Sequence, residues 1–301
     1  MVVRYALEKD IDQIKKIWNG CFDENTRFEN WTFEQRFQPD KCLVAVDKDR
    51  GKNEIIGAVQ YSPLTLALSG TGLTKMECDY VYDLSVAPEY QNQGIGRRLM
   101  EGMHAISRSH GKQANIVLPV SSEYYHKLGY DFITEKSEYV IDQPIVSEAY
   151  PCQINAIDAT VMNLSTLSLV YQQRCYQHGC YIKRSMQDFE RILKLAQELG
   201  GGIKIIYDGM IPAGYFVWTR EEDCVAVKEL IYLEDQAAEV IQSMQAVCPK
   251  LKIYGTEQDE RIFSFAKKYT RQSVMIHWLD EPVELRDIFI NLIGWEKVQT
   301  K

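Results

Sequence analysis

The sequence predicts an α/β (α+β) protein built as two domains that repeat one order of elements. Three observations carry this reading. The first half alternates strand-like and helix-like hydrophobic periods. The stretch from Ile141 to Pro151 then loses all periodicity and holds two prolines. After it the chain restarts with helices, three strands, helix, strand, helix and strand, the order of the first half. At 301 residues the chain suits two domains of ~100–200 residues each.

The elements follow in order. Val2–Tyr5 reads as a strand, and Ile11, Ile14, Ile17, Trp18 and Cys21 recur at helical spacing. Lys41–Val46 and Glu54–Leu66 read as strands across a turn-like segment at 49–53, and Lys75–Val86 as a further strand. Ile95, Leu99, Met103 and Ile106 make the apolar stripe of a helix that Gly111 ends. Asn115–Leu118 is a buried-type strand, Ser122–Leu128 a short helix, and Tyr130–Ile141 a closing pair of strands. These place a first domain at 1–142 and a linker at 143–152.

The second domain, 153–281, is expected to hold helices at Ala156–Tyr176 and Met186–Leu199. Strands at Ile203–Tyr207, Ala213–Trp218 and Cys224–Leu233 come next. A helix at Asp235–Val247, a strand at Lys250–Tyr254, a helix at Asp259–Tyr269 and a strand at Ser273–Leu279 complete it. Beyond Pro282, the residues Leu285, Ile288, Phe289, Leu292 and Ile293 recur at helical spacing, so 282–301 reads as an amphipathic helix or tail. Its apolar stripe must be covered by the chain's own surface or by a second copy, which keeps a homodimer among the expected partners.

Composition excludes several classes. Apolar content of 46% with 25% charged residues provides for a folded core. No run approaches the ~20 apolar residues of a membrane span, and the N-terminus has no signal-peptide core, so no membrane partner and a cytoplasmic location are expected. A net charge of −8 argues against nucleic-acid binding and is compatible with a cationic substrate. Eight cysteines occur without a CxxC pair, which indicates free thiols. Cys175, His178 and Cys180 lack a second ligand pair at zinc spacing, and no metal is expected.

The chemistry centres on Gln91, Asn92, Gln93, Gly94, Ile95 and Gly96, between a strand and a helix. Strand, glycine turn and helix point free N–H groups and a positive dipole end at an anion. Gly94 and Gly96 remove side chains that would keep a diphosphate away, and Arg97 and Arg98 add positive charge. No Lys-Ser/Thr follows the second glycine, and the third glycine of a GxGxxG motif would fall at Leu99, so neither common nucleotide motif applies. In the second half the matching turn would read Leu233-Glu234-Asp235-Gln236-Ala237, with two acids and no glycine, so that half is not expected to bind the same anion.

The run from Leu84 to Gly96 closely resembles the acetyl-CoA loop of the GCN5-related N-acetyltransferases (GNAT), whose Gln/Arg-x-x-Gly-x-Gly/Ala turn holds the CoA pyrophosphate. A second run, Leu118 to Asp131, resembles the family pattern in which a Tyr lies four residues before the Gly of a Leu-Gly-Tyr/Phe corner. Tyr125 holds that position, with Tyr124 in place of the usual Phe. Pro119, Ser121 and the tandem order further resemble the enhanced-intracellular-survival (Eis) type, a GNAT domain followed by a degenerate one. The resemblance implies two GNAT-like domains, each a mixed, mostly antiparallel sheet flanked by helices, with the acetyl-CoA site in the first. Eis-type chains end in a sterol-carrier-like domain whose terminal carboxylate acts as base. Here only an amphipathic piece follows Asp280, so that domain is expected to be missing and Lys301 is not given its role.

The resemblance implies an acetyl-CoA-dependent N-acetyltransferase acting on a primary amine of a small molecule or peptide by direct attack in a ternary complex. Leu84, Ser85 and Val86 would contact the acetyl and pantetheine parts through their main chain. Gln91 to Arg97 and Ser121 would hold the rest of the cofactor. Tyr125 would protonate the departing thiolate. A primary amine is protonated at neutral pH and needs a base. Asp83, on the strand leading to the glycine turn, is the candidate, with Glu77 and Asp79 as rivals. His126 diverges by ~100° from Tyr125 on a helix and reads as surface. Tyr80, Tyr82 and Tyr215 are candidates for lining a substrate cavity. The competing reading is a non-catalytic acyl-CoA-binding sensor or interaction protein, and a longer acyl donor stays open.

Overall fold

The computed structural model describes residues 1–22, 26–48, 53–69, 74–142, 154–221, 224–233, 244 and 250–292. In the first half these form β1 (Val2–Tyr5), α1 (Ile11–Cys21), α2 (Thr26–Trp31), β2 (Cys42–Asp47), β3 (Glu54–Leu68), β4 (Lys75–Val86), α3 (Ile95–Ser109), β5 (Ala114–Val117), α4 (Ser122–His126), β6 (Asp131–Phe132) and β7 (Glu135–Ile141). The second half holds β8 (Ile154–Asp158), α5 (Leu164–Cys175), β9 (Cys180–Ile182), α6 (Met186–Glu198), β10 (Gly202–Asp208), β11 (Ile211–Arg220) and β12 (Val225–Tyr232). It closes with β13 (Leu251–Gly255), β14 (Lys267–Gln272), β15 (Met275–Trp278) and β16 (Ile288–Phe289). Both sheets are mixed and mostly antiparallel with helices on their faces, as expected.

The two sheets exchange strands. The first runs β1-β2-β3-β4-β5-β15-β6, with β9 on β3 and β16 on β9. The second runs β14-β7-β13-β12-β11-β10-β8. The segment read as a closing strand pair therefore splits, with β6 staying in the first sheet while β7 pairs β13 and β14. In return β15 inserts between β5 and β6. Strand membership thus crosses the expected 143–152 linker, which lies outside the described residues, in both directions. Tyr139 and Ile141 of β7 then join Val227, Leu251 and Ile253 in a second-half core, and Met275 of β15 joins α3 and Tyr130 in a first-half core.

Three other expectations change. The helix placed from Ala156 opens with strand β8, so its helical part is α5. In place of a helix at Asp259–Tyr269 there is a short helical turn at Glu257–Arg261 that leads into β14. Asp259 is buried and pinned, accepting from the Thr256 amide at 2.6 Å and the Tyr232 hydroxyl at 2.8 Å, and β7 offers the following residues a strand partner. Of the expected Asp235–Val247 helix only Met244 is described, helical and buried in the second-half core, and the turn at 234–237 lies outside the described residues.

The third change is the tail. Residues 282–292 are not helical; Asp287 takes φ +43 and the chain docks as β16, parallel to β9. The Asp287 carbonyl accepts from the Gly179 and Cys180 amides, and Gly179 is needed because a Cβ there would run into the Arg286 carbonyl. Phe289 and Leu292 are buried, and the Asn291 carbonyl accepts from Arg184 at 3.0 Å. That guanidinium belongs to a buried bidentate pair with Glu229, both bonds 2.7 Å. The described apolar residues of the tail, up to Leu292, thus pack against the chain itself. Ending the chain at Glu281 should cost about 5 kcal/mol for two buried side chains and their contacts, lowering the melting temperature by roughly 10 °C in calorimetry.

Candidate active site

The site grows from a defect in β4. Against β3 the register runs Ala58↔Ser85 and then Gln60↔Tyr82, so Asp83 and Leu84 together oppose Val59. That two-to-one count is a β-bulge, which re-aims side chains and backbone groups out of the ladder. Asp83 takes φ +53 there, a left-handed conformation that Asp tolerates better than most residues. On its other side β4 pairs β5 in parallel only from Cys78 to Tyr80. Among the described residues β4 has no strand partner on that side from there to Val86, so the two strands part and open a cleft.

The glycine turn closes one end of this cleft. Asn92 and Gly94 both have positive φ, +60 and +77, which swings the chain into α3. The first α3 hydrogen bond runs from the Arg98 amide to the Gly94 carbonyl, so the preceding amides have no acceptor inside the helix. A Cβ at Gly94 would meet nothing within 4 Å, so the space over the turn is open. A Cβ at Gly96 would lie 2.9 Å from the Tyr124 hydroxyl, which caps the turn from α4. The Gln91 side chain donates to the Val86 carbonyl at 3.2 Å and locks the loop to the end of β4. Arg97 pairs with Glu101 at 2.9 Å on the exposed side of the helix, so its charge is already balanced.

Tyr125 stands on α4 across the cleft, edge-on to Tyr124 at 5.3 Å and to Tyr130 at 5.5 Å. Burial pushes its hydroxyl pKa up, helped by Tyr124 and the Asp83 charge, so the phenol keeps its proton. Burial likewise pushes Tyr124 up to about 12. Asp83 is buried and accepts from the Gln60 side chain at 3.2 Å.

One cavity of about 860 Å³ gathers Asp83, Leu84, Val86, Gln91, Asn92, Gly94, Ile95, Gly96, Arg97, Ser121 and Tyr125 in its wall. Ser85 and Gln93 do not line it. Ser85 is buried, and Gln93 donates to the Glu89 carbonyl at 3.2 Å. Tyr80 and Tyr82, stacked at 5.4 Å, do line it. Tyr215 does not; it is buried in the second half, donating to Glu229 at 2.8 Å. The rival acids are engaged elsewhere. Glu77 pairs with Lys75 and Lys112, and Asp79 is fully buried, accepting from Ser107 at 2.7 Å. His126 is exposed, its ring hydrogen-bonded to the Tyr130 carbonyl at 2.9 Å.

Sequence reading missed the far wall, where Lys136, Glu138, Lys228, Lys252, Tyr254 and Arg271 of the second sheet face the cleft. Strand exchange brings them there, and only the alternation of charged residues along β7 and β13 hinted at a polar face. Among the described residues no group of three metal-ligating side chains occurs, and no helix is long and apolar enough to cross a membrane.

Comparison with known proteins agrees with this geometry. Residues 2–133 match the family model of the acetyltransferase (GNAT) domain. No curated protein sequence matches the chain. Among solved structures, a GCN5-related N-acetyltransferase from Kribbella flavida is similar at TM-score 0.74 and 16% identity, over 93% of this chain and 71% of that one. A probable N-acyltransferase from Enterococcus faecalis V583 is similar at TM-score 0.75 and 14% identity, over 93% and 72%. Eis1 from Mycobacterium abscessus is similar at TM-score 0.67 and 12% identity, over 93% and 74%. At such identities the structural likeness speaks for the fold, while the match over 2–133 speaks for the family. Residues 2–133 thus match a GNAT acetyltransferase domain, set in a two-sheet fold shared with solved structures of that kind.

Proposed function

We propose that the protein is an acetyl-CoA-dependent N-acetyltransferase with one working site, in the first half. The observation that carries this is the meeting of three groups in one cavity: the glycine turn at the start of α3, the bulged Asp83 and Tyr125. The open space over Gly94 and the unbonded first amides of α3 fit a diphosphate, and the cleft beside β4 fits an extended thiol arm. Main-chain groups of Leu84, Ser85 and Val86 lie on the parted edge of β4.

In the reaction the acceptor nitrogen forms a bond to the thioester carbonyl carbon and the carbon–sulfur bond breaks. Asp83 takes the proton that the ammonium must lose. Tyr125, held protonated by its surroundings, gives its proton to the departing sulfur and is reprotonated from solvent. Backbone N–H groups at the bulge steady the charge that develops on the carbonyl oxygen.

The test is release of free CoA, followed by thiol titration, when the chain and acetyl-CoA are incubated with primary amines that include amino acids, polyamines, aminoglycosides and peptides. Amine-dependent release with a mass gain of one acetyl group on the acceptor is expected. Tight binding of acetyl-CoA with no transfer to any amine would make the protein a binder and overturn the catalytic reading.

A further inference from the structure

Tyr125, the acid of the proposed reaction, is aimed by its ring contacts and its backbone, and both run through one corner. The Leu128 and Tyr130 amides donate to the Tyr125 carbonyl at 2.9 and 3.1 Å. The Tyr130 ring meets the Tyr125 ring edge-on at 5.5 Å. Gly129, beside Tyr130, takes φ +80 and turns the chain from α4 toward β6. Whatever fixes Gly129 and Tyr130 therefore fixes Tyr125.

Two histidines do so, and one comes from the second half of the chain. Strand β15 pairs with β6 at Met275 and Ile276, and His277 is the next residue along it. Its Nδ1 lies 3.0 Å from the Gly129 carbonyl, which can only accept, so Nδ1 carries the hydrogen and donates. Nε2 is buried with no hydrogen-bond partner among the described residues, which leaves the bond to Gly129 as the polar anchor of the ring. The contact is close: a Cβ at Gly129 would lie 3.3 Å from that Nδ1. His104 of α3 stacks on His277, ring centroids 4.1 Å apart and 11° from parallel, and its Nε2 hydrogen-bonds the Tyr130 hydroxyl at 3.0 Å. Burial, helped by His277 and Arg108, pushes the His104 pKa down to about 3, so this ring is neutral and stacks without repulsion. Neither histidine lines the cavity, so each acts on the corner and not on the substrate.

Resting on the acetyltransferase reading above, we infer that His277 is a positioning residue for Tyr125, braced by its stack on His104. The insertion of β15 between β5 and β6 then does more than fill the sheet, because it carries the donor that holds the Gly129 corner. A strand that served packing alone would bury Met275 against α3 and Tyr130 without a hydrogen bond to the turn. Proton transfer to sulfur needs the Tyr125 hydroxyl within hydrogen-bond reach, and a misplacement of ~1 Å costs ~10²-fold in rate. Loosening the corner thus reaches the chemical step through Tyr125, while the glycine turn at the start of α3 keeps its own geometry.

The experiment uses the full chain, acetyl-CoA and one amine, the fastest acceptor of the panel above, with release of CoA as the readout. His277→Phe keeps a ring on His104 and loses the donor, whereas His277→Asn loses the stack and keeps an amide N–H for the Gly129 carbonyl. His277→Phe should lower kcat by ~10–10²-fold with acetyl-CoA affinity unchanged in calorimetry, and His277→Asn should recover most of the rate. In the Tyr125→Phe background His277→Phe should cost nothing further, because the group it aims has gone. His277→Ala takes the place of His277→Phe should the larger ring prevent folding. Equal losses in both backgrounds, or equal losses in His277→Phe and His277→Asn, would make His277 a packing residue and overturn the inference while leaving acetyl transfer intact. Hydrogen exchange checks the corner without turnover: the Leu128 and Tyr130 amides should exchange faster in His277→Phe than in the wild type, and unchanged protection contradicts the inference. A wild-type chain that transfers acetyl to none of the amines overturns the acetyltransferase reading itself, and with it any role for Tyr125 and His277.

Discussion

Tyr125→Phe should lower kcat by ~10²–10⁴ and leave the affinity for acetyl-CoA unchanged. The ring loses nothing in packing: a phenylalanine keeps the edge contacts to Tyr124 and Tyr130 at 5.3 and 5.5 Å. Only the hydroxyl goes, and with it a cavity-lining acid on α4 that its surroundings hold protonated. Because burial raises that pKa, Tyr125 stays protonated throughout the neutral range, and the rate should show no loss of this acid below the ordinary tyrosine value of about 10. Pre-steady-state mixing separates chemistry from product release. An unchanged rate in the chemical step would remove Tyr125 from the mechanism.

Gly94→Glu should abolish acetyl-CoA binding altogether. The side chain would enter the open space above the turn and set a carboxylate where two phosphates are to sit. Part of the effect comes from the backbone. At φ +77 a residue with a Cβ is strained by about 1 kcal/mol, so the turn itself would loosen. Gly94→Ala separates the two: it carries the strain without the charge and should keep measurable affinity. Since no atom lies within 4 Å of that Cβ, neither variant disturbs the core, and both should retain the wild-type circular dichroism.

The glycine turn and Tyr125 were legible because each is a contiguous motif whose geometry depends on its own neighbours. Gly94 supplies a positive φ, and the Leu128-Gly129-Tyr130 corner bonds back to the Tyr125 carbonyl. Period-2 alternation likewise marked most strands. It says nothing about partners, so the exchange of β7 and β15 stayed hidden, and with it Lys136 and Arg271 in the cavity wall. The tail shows the same limit. Leu285, Ile288, Phe289 and Leu292 fit a helical stripe, but the positive φ at Asp287 and the edge of β9 favour an extended segment in which Phe289 and Leu292 are buried and Leu285 and Ile288 partly so. Tyr215 failed as a cavity residue because strand aromatics signal packing as readily as binding, and its hydroxyl is taken by Glu229.

In the proposed function one half of the two-sheet protein holds the donor and the other half shapes the acceptor side. Isothermal calorimetry of acetyl-CoA with the full chain tests it most directly. One site per chain, lost in Gly94→Glu, is the predicted result; two equivalent sites, or full binding in Gly94→Glu, would contradict it.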